Sequence, residues 1–314
     1  MARPPAEILA RRARRRAQRR RRRRMGVAGI IALLIALVVA LEDTSGSTSR
    51  EPRVAGTRAH ASRPSAEATR RGLVHEPMGS GTNTAIRHLL ALGRAIYCGG
   101  SRGREVALTF DDGPGPYTYL AVRKLARAHE RATFFVVGRS MDMYRGYLPR
   151  ELRVAAIGDH TYTHTALTAL SPSEVRWQLG ATAQKIEAQS GEHVDLWRPP
   201  YELHNATVDA IARRLGLLEI LWDVDSQDSL GANYAQIIKN VEAGLRPGAI
   251  IELHENHGQT IRALTTLLPA LHRRHLRSVP VPELLASDPP SRKQVGQGLN
   301  GCTGAVRVRA FGAE

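Results

Sequence analysis

The sequence predicts an α/β fold, a small (β/α) barrel that is incomplete or distorted, preceded by one transmembrane helix and a disordered tether. Three observations carry this. From Glu105 onward, short apolar runs alternate with helical stretches, and repeated strand–helix units imply a parallel sheet with right-handed crossovers. Apolar residues make up 42% of the 314-residue chain and charged residues 24%, enough for a sizeable core. The polar residues fall at the ends of the strand candidates, where barrels and open α/β sheets carry function. A doubly wound open sheet is the alternative architecture.

The formal charge of +16 is not spread over the chain. Residues 1–24 hold 12 arginines against the single acid Glu7, and the rest carries only +5. That balance does not describe a nucleic-acid-binding domain, and no nucleic-acid partner is expected. Met25 to Leu41 is a 17-residue run without a charge, roughly 25 Å long as a helix. With the arginines immediately before it, the positive-inside rule makes residues 1–24 a cytoplasmic tail and 25–41 a signal anchor in the cell membrane, with the remainder outside. A cleaved signal peptide, giving a secreted protein, is the alternative. Residues 42–95 read as a flexible linker, because all 15 aromatic residues lie at Tyr97 or later and the segment is rich in Ser, Thr, Ala, Arg, Gly and Pro. Within it, 84–95 has the pattern of a short helix. The barrel then spans 96–286 and a C-terminal tail 287–314.

Strand candidates are VALTF (106–110), ATFFVV (132–137), AAIGD (155–159), VDLWR (194–198), LEILWDV (218–224), GAIIELH (248–254) and RSVPV (277–281). Helices are expected near 118–129, 142–152, 171–190, 205–215, 233–245 and 258–274. Ser171 followed by Glu174 has the form of a capping box.

Strand one ends in Asp111-Asp112-Gly113-Pro114, two adjacent carboxylates that a cation would make tolerable. Strand three ends in Asp159-His160 and continues to His164. The i, i+4 spacing puts both imidazoles on one face of a helical turn. Two histidines and one carboxylate are a zinc-type ligand set that leaves positions open for water. Strand four ends in Arg198-Pro199-Pro200-Tyr201, a stiff turn able to aim a backbone N–H at an oxyanion. Strand five runs into Asp223, Asp225 and Asp228. Strand six ends in His254, a general-acid candidate beside acids that would keep it protonated.

Taken in order, TFDDGP, HTYTH, RPPY, an Asp-rich strand end and a late strand-end histidine resemble the polysaccharide deacetylase family, also called carbohydrate esterase family 4, over about residues 105–285. The resemblance implies a distorted (β/α) barrel and metal-dependent hydrolysis of N-acetyl groups on an extracytoplasmic polysaccharide such as peptidoglycan, a chitin-like polymer or an exopolysaccharide. It implies that Asp112, His160 and His164 hold a divalent metal, zinc first, with cobalt or nickel as alternatives. It makes Asp111 the general base, Arg198 the residue that holds that base, and the Tyr201 N–H an oxyanion donor. His254 becomes the acid that protonates the leaving amine, tuned by Asp228. Three positions depart from the family pattern. Asp228 is followed by Ser229 where an aromatic residue is common. Glu252 stands where a leucine lines the acyl pocket, and Glu202 stands where glycine is usual.

Two other readings stay open: a glycan-binding homologue with little turnover, and an esterase acting on O-acetyl groups. Cys98 and Cys302 flank the barrel. Outside the cytoplasm they are expected to be joined, closing a loop worth roughly 5 kcal/mol in the chain-entropy model; two free thiols are the alternative. His257, His272 and His275 read as part of a solvated basic face. Asn205-Ala-Thr207 matches a glycosylation sequon.

Overall fold

The computed structural model describes residues 80–302, so the arginine run, the apolar run 25–41 and the first part of the expected linker lie outside the described residues. Among the described residues no helix is long and apolar enough to cross a membrane. The strands are β1 (Glu105–Gly113), β2 (Ala132–Val136), β3 (Ala155–Asp159), β4 (Leu196–Trp197), β5 (Leu218–Glu219), β6 (Val224–Asp225), β7 (Ile250–His254) and β8 (Arg277–Ser278). They pair in the order β5-β4-β3-β2-β1-β7-β6, and β8 pairs with the start of β1. Every ladder is parallel. Burial on both faces accounts for the near-continuous apolar runs of β1, β2 and β7.

The helices are α1 (Ser80–Ala91), α2 (Thr118–Ala128), α3 (Gly138–Met143), α4 (Leu148–Glu151), α5 (Pro172–Ser190), α6 (Ala206–Arg214), α7 (Tyr234–Gly244), α8 (Gly258–Arg273), α9 (Val281–Ser287) and α10 (Arg292–Gln297). The capping box at Ser171 and Glu174 forms as the spacing predicts. Asn205, read as part of a sequon, caps α6 by accepting from the Thr207 and Val208 amides. The helix expected at 142–152 is two short ones, α3 and α4, with Gly146 at φ 80° between them.

Strand alternation divides the core in two. Val106, Leu108 and Phe110 pack outward with Leu125 of α2 and Leu264 of α8 in one cluster. Ala107, Phe135, Leu196, Leu218 and Ile250 belong to a second, inner cluster with Ile86 and Leu89 of α1 and Leu284 and Leu285 of α9. The end of the expected linker, 80–91, is therefore a helix whose apolar side chains belong to the barrel's inner core. The tail is likewise packed as far as Cys302, which forms a disulfide with Cys98.

The run LEILWDV is not one strand. β5 and β6 lie at opposite edges of the sheet, and residues 220–223 carry the chain from one edge to the other. Every residue of that run except Trp222 is buried, so its apolar pattern matches a strand although only its ends join a ladder.

Candidate active site

Following the inner face of β1 and β7 towards their C-terminal ends, the side chains change from apolar to polar. Ala107 pairs with Ile250, then Thr109 with Glu252, then Asp111 with His254. The inner layer nearest the strand ends thus carries the reactive groups, as parallel barrels require.

Asp112 follows Asp111 with φ 72°, and this left-handed residue turns its carboxylate away from its neighbour's and toward two imidazoles. Its Oδ1 lies 3.1 Å from His164 Nε2 and 3.5 Å from His160 Nε2. Both histidines are held from behind. His160 Nδ1 donates to the Arg198 carbonyl at 2.8 Å, which leaves Nε2 as the bare ring nitrogen. His164 Nδ1 meets the Tyr201 hydroxyl at 3.1 Å. Fixing one ring nitrogen to present the other is the arrangement of metal-ligating histidines.

Asp112 Oδ1 is buried and takes no hydrogen bond among the described residues. An orphaned carboxylate oxygen is costly in a protein interior. That oxygen lies 3.5 and 3.1 Å from the two nitrogens and all three atoms fall within 4.8 Å of one another, a spacing compatible with bonds of about 2.0–2.1 Å around tetrahedral zinc. The residues fit a divalent cation.

Beside this group, Asp111 Oδ1 accepts from Arg198 Nη1 at 2.8 Å. Arg198 is fully buried. Its Nη1 also donates to Thr109 at 2.8 Å, its Nε to the Ile220 carbonyl at 2.9 Å, and its Nη2 to the Leu221 carbonyl at 3.3 Å. On the neighbouring strand His254 Nδ1 and Asp228 Oδ1 are 2.7 Å apart. Burial alone would lower His254, but the bond to Asp228 and the charges around it push it up to about 10. Burial raises Asp228 and the bond to His254 outweighs it, so its carboxyl sits below the usual range.

The structure brings together Asp111, Asp112, His160, His164, Arg198, Tyr201, Asp228 and His254, whereas Asp223, also read at the end of strand five, pairs with Arg246 and accepts from the Ile250 amide. Tyr201 sits at φ 60° in the turn after β4, and its side chain, 64% exposed, adds the hydroxyl contact to His164. Glu202 also has φ 60°, a conformation that favours glycine. Further residues, which no sequence motif marks, complete the site. Asn256 Nδ2 donates to Asp112 Oδ2 at 3.3 Å, Thr260 donates to Asp228 Oδ2, and the His254 amide donates to the same oxygen at 2.7 Å. His257 does not belong to a solvated face, since its Nδ1 donates to the Asp228 carbonyl at 3.0 Å. His272 is largely exposed but pairs with Glu130 at 3.0 Å. Asn256 stands two residues after His254, a polar residue beside a motif, whereas Thr260 lies in α8 with no sequence signal.

A curled parallel sheet that gathers paired histidines and carboxylates at its strand ends has the site layout of (β/α) hydrolases. The polysaccharide deacetylase family model matches residues 99–220. The chitooligosaccharide deacetylase of Bradyrhizobium sp. (strain ANU 289) is 32% identical over 198 residues, 58% of this chain and 90% of the relative. The chain belongs to the polysaccharide deacetylase family. It is also 36% identical over 183 residues to the peptidoglycan-N-acetylglucosamine deacetylase PgdA of Listeria monocytogenes, covering 58% of this chain but 39% of that one. The chain thus spans about two fifths of the listerial relative's length. Among solved structures, a family 4 carbohydrate esterase from Streptomyces lividans in complex with acetate superposes with a TM-score of 0.53 at 31% identity, over 58% of this chain and 92% of the other. A family 4 pseudoenzyme from Bacillus anthracis gives a TM-score of 0.58 at 28% identity, over 61% and 68%.

Proposed function

We propose that the chain is a metal-dependent hydrolase that removes N-acetyl groups from a polysaccharide outside the cytoplasm. The single observation that supports this best is the orphaned Asp112 Oδ1 between two imidazole nitrogens, with the Arg198-held Asp111 on one side and the His254–Asp228 pair on the other. A divalent cation held by Asp112, His160 and His164 would supply Lewis-acid activation of water and polarisation of the amide carbonyl. The protein's own groups do the rest. Asp111, fixed by Arg198, accepts the proton of the attacking water. The turn at Tyr201 offers its backbone N–H to the developing oxyanion. An amine leaves poorly unless protonated; His254, kept charged by Asp228, gives it that proton. The arginine run and the apolar run 25–41 support tethering at the membrane with the barrel facing the cell envelope.

The test uses the full chain loaded with zinc and N-acetylglucosamine oligomers. Acetate release is expected, together with loss of both bound metal and turnover in His160→Ala. A variant that keeps stoichiometric zinc and full turnover would overturn the ligand assignment. One second reading has a specific observation behind it. Glu252 puts a carboxyl directly beneath the reacting layer, and one structural relative is a pseudoenzyme. A glycan-binding protein without turnover would release no acetate above an Asp111→Asn control. Acetate release from acetylated xylan but not from the amide substrate would instead identify an O-acetyl esterase.

A further inference from the structure

A second group of metal-type donors lies outside the site described above. His204 closes the turn that follows β4, three residues after Tyr201, and Asp209 stands in the first turn of α6. Glu219 is the last residue of β5 and pairs with Trp197 on β4. Its neighbours Leu218 and Ile220 belong to the inner core cluster, so strand alternation turns Glu219 outward. Trp197 lies on that same outer side, in one cluster with Val208 and Ile211 of α6.

His204 Nδ1 lies 3.1 Å from Asp209 Oδ1 and 3.2 Å from Glu219 Oε1, and one donor atom from each residue falls within 4.8 Å of the other two. A ring nitrogen carries at most one proton, and the hydrogen bond to Asp209 takes it. Glu219 Oε1 is left buried without a hydrogen bond among the described residues, in a residue only 7% exposed. Leaving such an oxygen unanswered costs free energy. Asp209 and Glu219 also border a cavity of about 20 Å³ together with Trp197, whose buried indole N–H likewise has no partner among the described residues. That is room for one water-sized particle. Arg94 and Arg213 border the same cavity, but among the described residues neither forms an ion pair with Asp209 or Glu219, which pair with His204.

We propose that His204, Asp209 and Glu219 form a second divalent-cation site, of zinc type, on the outer side of the sheet. With Nδ1 unprotonated, His204 changes from hydrogen-bond donor to ligand, and one nitrogen and two carboxylate oxygens face a common point. Zinc takes imidazole nitrogen together with carboxylate oxygen, whereas calcium and magnesium take oxygen ligands. Separations of 3.1 and 3.2 Å suit bonds of about 2.0–2.2 Å to a shared ion. The side chains of His204 and Asp209 are 28% and 34% exposed, so the ion enters from solvent and water completes its shell. The ion ties the turn after β4, the start of α6 and the end of β5 to one point. That turn holds Tyr201 and Glu202, both at φ 60°, a backbone state that persists only where its surroundings fix it. Without the ion the two acids stay uncompensated. The site is separate from the Asp112 group and does not depend on the hydrolase reading.

The experiment strips the full chain with a chelator, dialyses it against a small excess of zinc at neutral pH, and reads zinc content and melting temperature. Wild type, His160→Ala, Glu219→Gln and the double variant are compared. Glu219→Gln is expected to lower the zinc content by one ion per chain in both backgrounds, from two to one in the otherwise wild-type chain and from one to none beside His160→Ala. Zinc should raise the melting temperature of His160→Ala and leave that of the double variant unchanged. A zinc content that Glu219→Gln leaves unchanged in a folded chain overturns the inference. Should Glu219→Gln fail to fold, Asp209→Asn and His204→Gln, at more exposed positions, take its place, and an unchanged zinc content in both overturns it equally. Equal protection of His160→Ala by calcium would overturn the nitrogen ligand. Acetate release by a chain holding a single zinc removes this inference alone; two zinc ions without acetate release remove the hydrolase reading alone.

Discussion

Both carboxylate oxygens of Asp228 are occupied, by the His254 ring and the Ser229 amide on one and by the His254 amide and Thr260 on the other. That clamp fixes its carboxylate beside the imidazole, and the charge pushes His254 up to about 10 against the effect of burial. Asp228→Asn removes the charge and keeps the shape. The alkaline limb of the kcat profile should move down by at least one pH unit, with kcat reduced by roughly 10²-fold or more, since a positioned general acid contributes about that much. A pH profile superimposable on the wild type would refute the pairing. At this same scale the chemistry was readable because each reactive side chain ends a strand: Asp111, His160, Arg198 and His254 all follow apolar runs. The tuning contacts were not. Thr260 reaches Asp228 only because α8 starts directly after β7, and the left-handed backbone at Asp112, His164 and Tyr201 has no residue-type signature, because none of them is glycine. Each such residue stores of order 1–3 kcal/mol, and all three lie at the site.

Among the elements, the turn after β1 is the most constrained. A Cβ placed on Gly113 would overlap the carboxyl of Glu255, which is itself fully buried and hydrogen-bonded to Thr118 at the start of α2. Gly113→Ala must therefore displace the buried Glu255 carboxyl, and with it the Thr118 contact at the start of α2, or else shift the Asp112 turn. We expect a loss of about 2–4 kcal/mol, read by urea denaturation, and a loss below about 0.5 kcal/mol would show that the turn relaxes freely. Elements with a clear change of period were legible: α5, α6, α7 and α8 begin and end within a residue or two of the positions expected from pattern and caps. The run 218–224 was not, and the reason is physical. Burial on both sides produces the same apolar string whether a segment lies in a ladder or threads between two edges. The folded stretch 80–91 was underestimated because it lacks aromatics; Ile86 and Leu89 suffice to hold it in the inner core.

For the molecule as a whole, buried acids without adequate cations govern the response to pH. Burial pushes Glu219 up to about 8, although His204 lies 3.2 Å away and shares its Nδ1 with Asp209 at 3.1 Å. Glu151, completely buried with neither carboxyl oxygen hydrogen-bonded, is likewise pushed up to about 8 by burial. A carboxyl whose folded pKa is raised keeps its proton in the folded state while the unfolded chain has lost it. Its contribution is thus complete below about 4.5 and disappears as pH climbs through 8. His254 acts in the same sense between 6.5 and about 10. Asp228, lowered, opposes them only in acid. The melting temperature of the metal-free chain should fall by several degrees between pH 5.5 and 9; a rise over that interval would contradict the burial of these groups. The gap between the two sheet edges is spanned by residues 220–223. Arg198 grips Asp111 with one nitrogen and the carbonyls of Ile220 and Leu221, in the segment joining the two sheet edges, with the others. One guanidinium therefore holds both the connecting segment and the Asp111 carboxylate. Loss of the guanidinium would thus free the 220–221 carbonyls and the Asp111 carboxylate in a single step.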